Sequence, residues 1–187
     1  YKETSQDIRL TESPDVAIAR SRFMEADAHL FNQKFLEDYT RVTGNTRPLE
    51  SFHRVYKNAP PAGLDDAARF KAWCAVIRDR PHYQQQELNF AKGNLRQLKA
   101  HGSTPNIAPD VQQIAAIARK LDSCWPYSGK EGSTARYLAN VSDKDICEMA
   151  RPADALQKQL SDMRPDYQKH LSARQTPANV MGQNNSP

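Results

Sequence analysis

Residues 14–43, PDVAIARSRFMEADAHLFNQKFLEDYTRVT, decide the fold: after the opening proline no glycine or proline interrupts them, and their apolar side chains fall at helical spacing. Ser13-Pro14-Asp15 reads as a helix start, with a capping hydroxyl, a proline in the first turn and an acid near the positive end of the dipole. Gly44-Asn45 supplies the matching stop. At 1.5 Å per residue the rod is about 45 Å long, as long as a domain of this size is wide. Other helices must pack along it.

Within the rod, Val16, Ala19, Phe23, Ala26 and Leu30 form one seam. Met24, Phe31, Phe35, Tyr39 and Val42 form a second, turned by about 140° at 100° per residue. An apolar face that moves around the axis is expected to meet different partners in its two halves, so the rod is placed centrally and crossed at an angle. Ile18 and Leu36 lie off both seams, and belong either to an exposed contact surface or under another helix.

Further helices are legible downstream. A short amphipathic segment runs from Leu49 to about Lys57 and ends at Pro60-Pro61-Ala62-Gly63. Asp65-Asp66 opens the next, with Ala67, Phe70, Trp73, Cys74 and Ile77 inward. Pro81 breaks that helix and starts another through Leu88, Ala91, Leu95 and Leu98. Pro109-Asp110 begins a helix with Val111, Ile114, Ala118 and Leu121. Ser142 caps a further one, with Asp145 at its third position and a staple between Val141 and Ile146. Leu156, Leu160, Met163, Tyr167 and Leu171 keep helical spacing through Pro165, which predicts one kinked helix rather than two.

The 187 residues, with 39% hydrophobic and 26% charged side chains, suffice for one domain with a proper core. Gly93 alone among seven glycines sits inside a helical pattern, where it costs about 1 kcal/mol relative to alanine. No alternating run rich in Val, Ile and Thr competes. The expected fold is therefore all-α: a single compact irregular helical bundle built around the long N-terminal helix. Residues 1–12 are expected to be a loose leader, 13–174 the helical domain, and 175–187, rich in Asn, Gln, Pro and Ser, a disordered tail.

No run approaches the ~20 apolar residues that span a bilayer, and no signal-peptide pattern is legible. Tyr1 rather than Met stands first, so a processed or excised form is expected. Cys74, Cys124 and Cys147 have no paired spacing, which favours a reducing compartment over a disulfide framework. No zinc-ligand spacing and no cofactor motif occurs, so neither a metal nor a cofactor is expected.

Two regions carry candidate chemistry. Residues 51–101 hold Arg54, Lys57, Arg69, Lys71, Arg78, Arg80, Lys92, Arg96 and Lys99 against four acids, with Phe52, Tyr56, Tyr83 and Phe90 among them. That composition suits a phosphate-tracking patch with stacking platforms for nucleic acid, or an anionic lipid surface. It equally suits wet helix faces backed by core aromatics. The second region, Cys124–Arg136, places Ser128, Lys130, Ser133, Thr134 and Arg136 ahead of or within a short helix, as groups that can hold an anion. Ser128-Gly129-Lys130 lacks the earlier glycine and following hydroxyl of a nucleotide-binding loop. An inter-helix loop pinned by Trp125 and Tyr127 is the alternative reading. Glu25–His29 and Asp79–His82 are two-residue acid–base pairs, more in keeping with surface pairing than with a metal site. Glu37-Asp38 reads as a solvated acidic step, and Cys74 as core.

These observations lead to a helical module that binds another macromolecule, in the first place a protein, through a helix face. An adaptor, a regulator or a delivered bacterial effector domain fits that description. The alternatives are nucleic-acid or anionic-surface binding through 51–101, and an enzyme with an anion site around Cys124–Arg136. Whether the chain is an enzyme at all is left open by its residues.

Overall fold

The computed structural model describes residues 14–101 and 133–175 of the chain. The leader, the helix expected after Pro109, Cys124 and the tail beyond Gln175 lie outside the described residues. Within them the protein is all-α, with seven helices and no strand.

Helix α1 spans Pro14–Thr43. It ends where the sequence predicts, at Gly44, whose φ of +71° suits a residue without a Cβ and whose N–H donates to the Thr40 carbonyl at 2.8 Å. Helix α2, Arg47–Val55, carries Pro48 in its first turn. Helix α3, Asp66–Arg78, is capped by the Asp65 carboxylate, which accepts from the Ala68 N–H at 2.8 Å. Pro81 begins α4, Pro81–His101. Helix α5 is Ser133–Leu138, and α6, Asp143–Ala150, is capped by the Ser142 hydroxyl accepting from the Asp145 N–H at 3.2 Å. Helix α7, Asp154–Gln175, runs unbroken through Pro165, as its apolar spacing requires.

Helix α1 touches each of the other six described helices. Two clusters pack against it. One gathers Phe23 and Leu30 with Phe70, Trp73 and Ile77 of α3, Leu138 of α5 and Ile146 of α6. The other gathers Ala17 and Ile18 with Leu88 and Ala91 of α4 and Leu156, Leu160 and Tyr167 of α7. Each fully buried large side chain contributes about 1.5–3 kcal/mol. Ile18 is thus core, and Leu36 packs partly buried against the first cluster, so of the two readings the packed one holds for both. Ile18 is enclosed because the inner part of α1 is covered from more directions than its two seams imply.

The second seam differs from expectation too. Buried residues of α1 occur on all sides as far as Phe23 and on one face from there to Gln33, and none follows. Phe31, Phe35, Tyr39 and Val42 are 42, 57, 37 and 73% exposed. The neighbours approach elsewhere. Helix α3 reaches this end through Lys34–Asp66 and Glu37–Arg69, and the α2–α3 connection reaches it through Gln33 and Pro60. Lys34, Glu37 and Gln33 all lie outside the sector of α1 that carries the four apolar side chains.

Candidate functional site

Four large apolar side chains lie in one row because residues 31, 35, 39 and 42 recur at four and three along a helix. Isolated exposed apolar residues are ordinary, whereas a contiguous row marks a contact surface. Beside the row, Asp38 and Arg41 form an ion pair at 3.0 Å with both side chains about 70% exposed or more. Such a pair contributes little to stability in water.

Where α1 leaves the core, His29 is surrounded by rings from two helices and from the residue closing a third. Its imidazole stacks on Trp73 of α3 at 4.9 Å and 20°, lies 4.7 Å from Tyr56 just after α2, and hydrogen-bonds the Tyr83 hydroxyl of α4. Burial first, then Arg80 and His82, lowers its pKa to about 4, so the ring is neutral near pH 7. Burial, with a hydrogen bond to Tyr56, raises the Tyr83 pKa. Arg80 caps the group with its guanidinium 4.7 Å from the Tyr56 ring centre. One turn further along α1, Gln33 accepts from the Trp73 indole N–H at 3.0 Å and donates to the Pro60 carbonyl at 2.7 Å. The Tyr83 hydroxyl, the Trp73 indole N–H and both ends of the Gln33 amide thus have partners, as in a packed junction.

Deeper still, the Arg22 guanidinium, fully buried, donates two hydrogen bonds of 2.8 Å to the Glu87 carboxylate. It also donates to the Met149 carbonyl at 3.0 Å and to the Arg151 carbonyl. Burial raises the Glu87 pKa, and Arg22 opposes the shift. This network closes the end of α6, whose last carbonyls lack helical partners. No sequence signal announced it, because Arg22 and Glu87 are 65 residues apart.

The residues singled out in the sequence fall as follows. Ser128 and Lys130 lie outside the described residues. Ser133 and Thr134 open the six-residue α5, and the exposed Arg136 holds its guanidinium 5.4 Å from the Tyr137 ring centre. The nine cations of 51–101 are spread over α2 to α4 and the turns between them. Arg69 pairs with Glu37, Lys71 with Asp145, Arg78 with Asp79 and Lys99 with Asp166, while Arg80 covers Tyr56. Arg54, Lys57, Lys92 and Arg96 stand exposed, the first two at the end of α2 and the last two on α4. Phe52 and Tyr83 are buried, and Tyr56 and Phe90 half-buried. Glu25 accepts from Gln86 rather than meeting His29, and Glu37 is drawn to Arg69, so neither is the exposed residue its surroundings in sequence suggest. Cys74 is buried, with its pKa pushed up to about 12 by desolvation, and Cys147 is a half-buried thiol.

Two recesses mark the surface. A groove of about 510 Å³ follows His82, Gln86, Asn89, Phe90 and Gly93 along α4. A cleft of about 540 Å³ lies where α3, α4 and the α6–α7 junction meet. In it Arg78 pairs with Asp79 at 2.9 Å, and Arg151 lies 3.8 Å from both Glu148 and Asp154. Its cations are already balanced by acids. No described helix is long and apolar enough to cross a membrane. Comparison with protein-family models, curated proteins and solved structures finds no match to this chain.

Proposed function

We propose that this chain is a protein-binding module that docks its partner on the outward face of the C-terminal half of α1. The observation that carries this reading is the row Phe31, Phe35, Tyr39 and Val42, held in water by a helix anchored through its other half. Aromatic side chains supply large contact area at small entropic cost, which is why they dominate binding energetics. Covering Phe35 or Val42 gains about 1.5–3 kcal/mol for each side chain fully removed from water. The anchored rod loses little further freedom on association, so more of that gain appears as affinity.

The test is a photo-crosslinking residue placed at position 35 in the full chain, with the same residue at exposed Lys92 on α4 as control. The expected result is a discrete protein adduct from position 35 alone, lost in a chain that also carries Val42→Asp. No adduct at position 35, or the same adduct from both positions, overturns the reading.

A further inference from the structure

Resting on that docking reading, we infer that the partner seated on this face is a second copy of the same chain, paired antiparallel through α1. The face is a single convex helix. The i, i+4 row Phe35–Tyr39 with Val42 beside it is the kind of ridge that packs into the matching groove of another helix. The charges at its edge choose among occupants. Asp38 and Arg41 lie on the same side of the row, opposite in sign, both largely exposed and three residues apart. When two identical helices pack antiparallel about a two-fold axis, each edge meets its own counterpart, and contacts are reciprocal.

An axis passing close to Tyr39 sets Phe35 against Val42 of the second copy and Tyr39 against its counterpart. The same axis sets Asp38 against Arg41 of the second copy and Arg41 against its Asp38. One register therefore satisfies the apolar row and the charged edge together. The two internal ion pairs become a four-charge cluster at the rim, where opposite charges fix register and like charges oppose it. An unrelated partner would need its own complementary charges, whereas this face already carries both halves of the match.

Sedimentation velocity of the full chain, from low to high micromolar concentration, tests the pairing. The expected result is a reversible equilibrium between a 21.1 kDa monomer and its dimer. Phe35→Asp should leave monomer only. Asp38→Arg and Arg41→Asp should each weaken dimerisation about tenfold by placing like charges across the axis. The double exchange, Asp38→Arg with Arg41→Asp, should restore it to within about threefold, a recovery that neither misfolding nor general loss of contact produces. Monomer at every concentration, or a dimer indifferent to Phe35→Asp, overturns the inference. If the chain is monomeric but position 35 still crosslinks to a protein of another mass, the second copy fails and the docking reading survives. If position 35 gives no adduct, both fail.

Discussion

Between Pro14 and Phe23, α1 buries side chains in every direction; between Lys34 and Thr43 it buries none. The same helix supplies both stretches, and apolar residues recur at the same spacing in each. Helix α7 and the second half of α4 pack on the inner half, while α3 and the residues after α2 lean on the outer half from other sides. Periodicity makes a helix amphipathic, but neighbours decide what its apolar face is for. The inner half is a hub, and the outer half is a handle.

The contrast breaks most sharply at Arg22. Arg22→Ala should cost about 3–5 kcal/mol in chemical denaturation, because it leaves the Glu87 carboxylate buried without its partner and two carbonyls unbonded. Phenylalanines give the cleanest comparison. Phe23→Ala should cost about 3–4 kcal/mol, since its ring is wholly enclosed, whereas Phe35→Ala should change monomer stability by less than about 0.5 kcal/mol. Equal losses at the two positions would erase the distinction between hub and handle.

His29 sits at the boundary, and its titration probes it. Its folded pKa is about 4 against 6.5 in the reference state, so between those values the unfolded chain holds a proton that the folded chain lacks. Stability should therefore fall as pH drops from 6.5 toward 4 and level off below. Allowing for the ring's partial exposure, the loss is about 2 kcal/mol. His29→Gln should flatten that part of the profile in thermal melts. At the outer end, Gly44→Ala should cost about 1 kcal/mol by forcing a Cβ into left-handed backbone, and helical content measured by circular dichroism should fray there first.

What could be read from the sequence follows from how local each cause is. Asp65 and Ser142 announce their helices because the N–H groups they cap lie three residues on. Gly44 and Pro81 stop and start helices by their own backbone chemistry. Phe23 and Phe35, by contrast, look alike in a one-dimensional pattern, and only packing in three dimensions separates core from contact face. Ile18 shows the converse, an off-seam residue whose two readings only packing decides: α4 and α7 close over it. Arg22 and Glu87, and the ring of aromatics around His29, depend on tertiary pairing that spacing along the chain does not encode. Nor does spacing encode where the cations of 51–101 go: Arg69, Lys71 and Lys99 find acids on other helices.

The guanidinium of Arg22 is satisfied by carbonyls contributed 127 and 129 positions later. Glu87 takes its charge, and the two remaining acceptors are backbone carbonyls at and just beyond the end of α6. One buried guanidinium is fully bonded only when α1, α4 and the end of α6 stand together, so loosening any one of them loosens all three.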